Sequence, residues 1–167
     1  MNGLGRIFDI SQAINVVDLA GGATTGARVH LRNYDAVAIV VFKEAGADAE
    51  PVTFTVQSHS ASSGGTSTDL AVIDEYFHKT EATLDGDETW TRVTQTAAAT
   101  FAQASGDSDM QSIIVVEIQA GSLPAGHEWI SVNGSDVTTA GQLGGVLYLL
   151  HGLKIQRRPD LLAEPLT

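Results

Sequence analysis

The sequence predicts an all-β protein: an antiparallel β-sandwich of jelly-roll type with extended terminal arms. Thr and Val recur throughout, 17 of the 167 residues are glycine, and Lys and Glu, the usual fillers of exposed helix, are scarce. Short apolar or alternating runs follow one another every 10 to 20 residues or so, with turn residues between them. No helical period is sustained over about eleven residues. A fold of alternating strands and helices is therefore not expected.

The first half of the chain contains four predicted strands. Residues 14–19 and 28–31 are short runs, and a turn is expected at Asn33-Tyr34-Asp35, because Asn and Asp bond their own backbone. Residues 36–42 (AVAIVVF) are apolar at every position, which is typical of a central strand covered on both faces. Residues 52–58 alternate, which indicates a strand with one buried face.

The second half opens with the Ser-rich segment 59–68 (HSASSGGTST), which predicts an exposed flexible loop. Further strands are expected at residues 73–80, 90–95, 100–104, 113–118, 129–132 and 145–155. Of these, 113–118 (IIVVEI) is the most apolar and is expected in the core. Two prolines in residues 156–167 indicate an extended C-terminal arm.

Length and composition limit the classes of function. The 17.5 kDa chain fits one domain, residues 1–155, with residues 1–13 as a candidate N-terminal arm. The absence of cysteine excludes disulfides and thiolate chemistry. A formal net charge of −11 disfavours nucleic acid as a partner. No apolar run approaches the roughly 20 residues that span a bilayer, so no membrane association is expected.

No motif in the sequence predicts catalysis. The phosphate-binding pattern GxxxxGK[ST] and the hydrolase patterns HExxH and GxSxG are absent. No two histidines lie within 18 residues of each other, and the His-x-His pair of cupin-type metal enzymes is missing. Asp74, Glu75 and His78 could form an acid–base cluster, but charged residues beside an aromatic pair are common at a strand edge. We predict no enzyme, no cofactor and no metal site.

Two further features of the sequence are weaker signals of binding. Asp85, Asp87 and Glu88 resemble part of a calcium loop, as does the segment 107–109, but neither has the ligand spacing of an EF-hand. Trp90 and Trp129 could be stacking platforms for a sugar, although core or interface anchors are the more common role of so few aromatic residues.

Several segments together resemble a family of tailed-bacteriophage virion structural proteins. Residues 33–41 (NYDAVAIVV) are similar to its NY-x-x-V-A-I-V-V strand, and residues 52–57 (VTFTVQ) to the strand that follows a Gly-containing connection. Residues 114–123 (IVVEIQAGSL) are similar to its I-x-V-x-E-I-x-A-x-x-L strand. Residues 146–150 (VLYLL) and the Arg158-Pro159-Asp160 tail match its closing strand and Pro-containing end. The similarity runs from about residue 14 to 166, although the Ser-rich segment replaces a charged one.

The resemblance implies a non-enzymatic capsid decoration or cement protein that binds the outer surface of a phage head. The implied partners are the major capsid protein of the same phage and further copies of the chain, as a dimer or trimer. The implied location is the virion surface, after assembly in the host cytoplasm. Because the terminal segments flank the sandwich, we expect them to make the contacts between chains. The candidate interface residues are Ile7, Phe8, Ile10, Lys154, Arg157, Arg158, Pro159, Leu161 and Leu162.

The sequence is also compatible with two other functions. The chain could occupy another place in a virion, as a tail-tube, tail-terminator or head–tail joining protein. It could also be a carbohydrate-binding β-sandwich that uses Trp90 or Trp129.

Overall fold

Twelve strands and three short 3₁₀ turns make up the part of the chain that the computed structural model describes, residues 3–46, 51–137 and 141–165. The strands are β1 (Phe8–Asp18), β2 (Thr24–Thr25), β3 (Val29–His30), β4 (Ala36–Lys43), β5 (Thr53–His59), β6 (Ser67–Asp69), β7 (Ile73–Glu81), β8 (Thr91–Ala98), β9 (Thr100–Ala102), β10 (Gln111–Gln119), β11 (Trp129–Gly134) and β12 (Leu143–His151). The turns are Ser105–Asp107, Ala120–Ser122 and Pro159–Leu161.

The strands form two antiparallel sheets. Sheet A has the order β1-β12-β4-β10-β7-β8, so the first and last strands are neighbours. Sheet B has the order β2-β11-β5-β6, with β3 also paired to β11 and β9 to β5. The expected all-β antiparallel sandwich is confirmed.

A single apolar core lies between the two sheets. Each central strand sends alternate side chains inward, as the two-residue period of a strand requires. On β10 these are Ile114, Val116 and Ile118, all about 1% exposed or less. Sheet B contributes buried side chains from β5 and β11 to the same cluster. The two strands predicted as most apolar, β4 and β10, are adjacent at the centre of sheet A.

A buried lysine ends the central strand β4. The Lys43 ammonium donates hydrogen bonds to the carbonyls of Ser108 (2.8 Å), Met110 (2.9 Å) and Glu44 (3.1 Å). Burial lowers the pKa of Lys43 to about 8, and the charge of Asp109 opposes this shift. The side chain therefore ties the turn at residues 105–110 to the end of sheet A.

Three expectations need correction. The Ser-rich segment is largely exposed from residue 60 onward, as expected, but it forms a short hairpin, because His59 is buried in β5 and Ser67 begins β6. Strand β12 ends at His151 and not at residue 155. Residues 36–42 are covered on both faces only in part: on the outer face Ala36 and Ala38 are buried, whereas Phe42 is 37% exposed. In addition, the candidate N-terminal arm, residues 1–13, belongs to β1 from Phe8 onward.

Candidate interaction surfaces

The structure brings the two terminal segments together. The amide of Arg157 donates to the carbonyl of Gly5 (2.9 Å), and Gly5 adopts a φ of 78°, a left-handed conformation that favours glycine. A Cβ at Gly5 would lie 2.4 Å from the Arg157 carbonyl oxygen. Further along the tail, the amide of His30 donates to the carbonyl of Pro165 (2.8 Å). Residues 156–165 therefore run along the sandwich, with backbone bonds to it at both ends.

Three apolar side chains on or next to these terminal segments face solvent. Ile7 is 67% exposed, Leu161 is 58% exposed and Ile155 is 57% exposed. We name this set, Ile7, Ile155 and Leu161, the terminal patch. Ile7 and Leu161 were among the candidate interface residues, whereas Ile155 was not. Two other candidates, Phe8 and Leu162, are half-buried.

The side chains of two of the three basic candidates, Lys154 and Arg158, bond within the chain. Arg158 pairs with the Asp160 carboxylate (3.0 Å), and both side chains are exposed. The Lys154 ammonium donates to the carbonyl of Arg32 (3.0 Å). Surface ion pairs of this kind contribute little to stability, about 0–1 kcal/mol. Pro159 begins a 3₁₀ turn, as its fixed φ favours.

The outer surface of sheet A carries apolar side chains on five adjacent strands, with polar ones such as Gln12, Lys79 and Glu117 around them. In the middle row, Leu147 of β12 lies opposite Val40 of β4, Val40 opposite Val115 of β10, and Val115 opposite Phe77 of β7. We name this surface the apolar face. Its members are Ile10, Val16, Ala38, Val40, Phe42, Phe77, Ile113, Val115, Leu143, Gly145, Leu147 and Leu149.

The sequence pattern did not identify this face. Of its members, only Ile10 was a candidate interface residue; it is 50% exposed and pairs with Leu149. A uniformly apolar strand such as β4 gives no sign of which face is covered. The exposed fractions of the side chains identify the uncovered face: on the neighbouring strands β1 and β12, Val16 is 66% and Leu143 is 53% exposed.

The outer surface of sheet B has the opposite character, with a network of polar side chains. His59 contacts the hydroxyls of Ser67 (2.8 Å) and Ser131 (2.9 Å) through its two ring nitrogens. Asn133 donates to the side-chain oxygen of Gln57 (3.0 Å), and the side-chain amide nitrogen of Gln57 donates to Asp69 (2.8 Å). Such a surface satisfies its own hydrogen bonds and has little apolar area to bury.

His59 has the most perturbed imidazole of this network. Burial, reinforced by the charges of Arg28 and His127, lowers the pKa of His59 to about 4. The ring is 2% exposed. It is therefore neutral at pH 7 and holds β5 to β6 and β11 by hydrogen bonds.

The candidate acid–base cluster on β7 is not assembled. Glu75 accepts hydrogen bonds from Arg92, whereas His78 contacts the hydroxyl of Thr80 (2.9 Å). Asp74 is exposed. Glu75 and His78 are an odd number of residues apart on one strand, so their side chains leave it on opposite faces.

The acidic turn after β7 brings together a set of carboxylates that differs from the Asp85, Asp87 and Glu88 set named from the sequence. Carboxylate oxygens of Glu81, Asp87 and Glu88 lie within 4.8 Å of one another, while Asp85 is not part of the group. Backbone N–H donors, led by that of Gly86, lower the pKa of Glu88. The group lies at the surface, and the local turn geometry accounts for it.

The two tryptophans have different environments. Trp129 is 8% exposed and stacks on His30, with ring centroids 4.3 Å apart and planes at 5°. Trp90 is 51% exposed, and the Lys79 ammonium lies 5.2 Å from its ring centroid. Of the two sugar-platform candidates, only Trp90 presents an accessible ring.

Comparisons with known proteins do not assign the chain to a family. No family model, curated protein or solved structure matches the chain. Among the described residues, no helix is long and apolar enough to cross a membrane.

Proposed function

We propose that this chain is a non-enzymatic structural protein of a phage virion, a capsid decoration protein that binds the outside of the head. The observation that carries the proposal is the terminal patch. Ile7, Ile155 and Leu161 expose apolar area beside a tail that backbone hydrogen bonds fix at both ends. Because the backbone of this tail is already held by hydrogen bonds, it loses little conformational entropy on binding, so the patch suits contact with a shell subunit.

The strand order gives further support. We propose that eight strands form a jelly roll, with β1-β12-β4-β10 as one sheet and β2-β11-β5-β6 as the other, extended by the β7–β8 hairpin. Jelly rolls are frequent in viral capsid proteins, although they also occur in lectins and cupins. The sequence resemblance to phage virion proteins favours the first of these settings, with the major capsid protein as partner.

The copy number of the chain in purified particles tests the proposal. We expect a ratio to the major shell protein close to one, and loss of the chain when heads are stripped with tails intact. A few copies to some tens per particle would favour the alternative, a tail-tube, tail-terminator or joining protein. Absence from particles would contradict both.

A pair of variants locates the contact. Leu161→Asp places a charge in the terminal patch, and we expect it to reduce binding of the added protein to stripped heads at least tenfold, or about 1.4 kcal/mol. Thr55→Asp, on the polar outer surface of sheet B, is the control. Equal binding by the two variants would exclude the terminal patch.

The exposed ring of Trp90 supports a second candidate, a carbohydrate-binding module. Exposed aromatic rings are suitable stacking platforms. Quenching of tryptophan fluorescence by oligosaccharides that disappears in Trp90→Ala would favour this function, whereas no quenching would exclude it.

A further inference from the structure

We propose that the apolar face of sheet A is the contact surface of a homodimer, covered by the same face of a second copy. The inference deepens the proposed function by assigning the self-association surface, but it relies on that function only for its setting. Its evidence is the composition, area and charge of the face itself.

The apolar face is contiguous. Register places the row Gly145, Phe42 and Ile113 beside the middle row of Leu147, Val40 and Val115. Monomeric proteins rarely expose continuous apolar patches above a few hundred Å². A face of this kind on five adjacent strands indicates that something covers it.

The area is sufficient for a stable dimer. The outer surface of these five strands, at a spacing of about 4.8 Å and over about eight residues at 3.4 Å each, has a footprint of roughly 24 by 27 Å, or about 650 Å². The apolar members occupy its centre, and Gln12, Lys79 and Glu117 lie around them. Side-chain relief increases the accessible area above this flat projection. A standard interface buries about 800 Å² on each partner. A second copy centred on the face would therefore bury an area in the range of specific complexes.

The charge distribution favours a second copy as the occupant. The chain carries a formal charge of −11, so two copies repel unless they meet through an uncharged surface. Two acidic side chains near the face have a partner: Glu75 pairs with Arg92, and Glu117 lies 3.7 Å from the imidazole of His151, whereas Glu44 lines the adjoining groove. The centre consists of aliphatic and phenyl groups. Homodimer interfaces have this more apolar character, whereas transient contacts with other proteins are more polar.

The relief of the face suits sheet-on-sheet packing. Gly145 leaves a low point in the sheet, and a Cβ there would lie 3.2 Å from the Phe42 ring and 3.4 Å from Val16. A groove next to it has Phe42, Ile113 and Leu143 in its lining. Because a two-fold axis presents the same surface to itself, raised side chains of each copy can enter the groove of the other.

The first test is the molar mass of the protein in solution by size exclusion with light scattering. At about 100 µM we expect twice the 17.5 kDa of one chain, with a concentration-dependent return to one chain on dilution. Leu147→Lys is expected to give the mass of one chain with an unchanged circular dichroism spectrum. Thr55→Lys, at a strand position on the opposite outer surface, should stay dimeric.

Thiol labelling gives a second, independent measurement, since the natural chain has no cysteine. We expect maleimide to react with Leu147→Cys at least about tenfold more slowly at high than at low protein concentration. The rate for Thr55→Cys should not change with concentration. Wild-type protein with the mass of one chain at about 100 µM would overturn the proposal. So would a dimer in which Leu147→Lys stays dimeric and Leu147→Cys labels at a constant rate.

The two proposals fail separately. Copy number in particles and the Leu161→Asp variant test head binding, whereas mass and labelling of the isolated protein test the dimer. A monomer that binds heads would overturn only the dimer. A dimer absent from particles would overturn only the virion role.

Discussion

Tyr148 joins the two sheets through a buried hydroxyl group. The side chain lies on β12 of sheet A and is fully buried. Its hydroxyl donates to the carbonyl of Ala27 (2.9 Å) and accepts from the amide of Val132 (3.1 Å), both in the sheet B layer. Burial raises the pKa of Tyr148, so the group is a neutral donor at all moderate pH values.

Tyr148→Phe should therefore be destabilising although it removes one atom. It leaves the buried N–H of Val132 without this partner and removes the part-buried bond to the carbonyl of Ala27, and we expect a loss of about 1–3 kcal/mol in the free energy of unfolding. Urea denaturation measures it. Tyr76→Phe, which removes a single bond to the carbonyl of Ala102 (2.8 Å), is the control with a smaller expected loss. Equal losses of unfolding free energy in the two variants would show that the Tyr148 hydroxyl stabilises the protein no more than an ordinary hydrogen bond does.

His59 makes stability depend on pH. Its pKa is lowered to about 4 in the folded protein, against an ordinary value near 6.5. Between these values the unfolded chain binds a proton that the folded chain does not, so stability falls as pH decreases from about 6.5 to about 4. Below pH 4 this contribution stops changing.

His59→Gln removes the titrating group and keeps polar atoms. We expect the stability difference between wild type and variant to be constant above about pH 6.5. Toward pH 4 it should shift in favour of the variant, by up to about 1.4 kcal/mol per pH unit. Denaturant titrations between pH 4 and 7.5 measure this difference. Parallel curves over the whole range would mean that His59 does not control the acid sensitivity.

At the scale of elements, the β5–β6 hairpin depends on one distant arginine. The Arg28 guanidinium donates to the carbonyls of Ala61 (2.7 Å) and Gly64 (2.8 Å) at the hairpin tip. Gly64 and Gly65 adopt φ values of 60° and 64° there, and a Cβ on Gly65 would lie 2.7 Å from the Ser60 hydroxyl. The composition suggested a flexible loop because this partner is 33 residues or more away in sequence.

Arg28→Gln should loosen the hairpin without unfolding the sandwich. We expect amide exchange in residues 60–66 to accelerate about tenfold, which corresponds to the loss of one or two charge-assisted hydrogen bonds. Hydrogen exchange with mass spectrometry measures this. Arg92→Gln, which breaks the exposed pair with Glu75, is the control and should leave the hairpin unchanged. Equal exchange in both variants would contradict the role of Arg28.

At the scale of the whole molecule, the contact between the termini closes one end of the sandwich. Gly5→Ala would introduce a Cβ 2.4 Å from the Arg157 carbonyl at a positive φ. We expect a destabilisation of about 1–2 kcal/mol and faster amide exchange at Arg157. Gly106→Ala, where a Cβ would meet nothing within 4 Å, should change little. Thermal unfolding and hydrogen exchange measure both, and a Gly5 variant as stable as wild type would contradict this arrangement.

The interaction surfaces show how far the sequence could be interpreted. Ile7 and Leu161 were predicted as interface residues, and that role stays a prediction. Both are exposed, since Ile7 precedes β1 and Leu161 lies in a 3₁₀ turn. The apolar face was missed. On β4, inward Ile39 and outward Val40 are equally apolar, so periodicity has no signal to separate them. The two faces of β4 differ only because sheet B covers one face of sheet A and leaves the other uncovered.

Composition and strand periodicity alone determined the class of fold: all-β, antiparallel and one sandwich core. These properties follow from local preferences and from the alternation of side chains along each strand. Tertiary structure alone decided which apolar surface is exposed, that the termini meet at Gly5 and Arg157, and that Arg28 orders the Ser-rich hairpin. Each of these depends on contacts between residues far apart in the chain, which local sequence patterns do not encode.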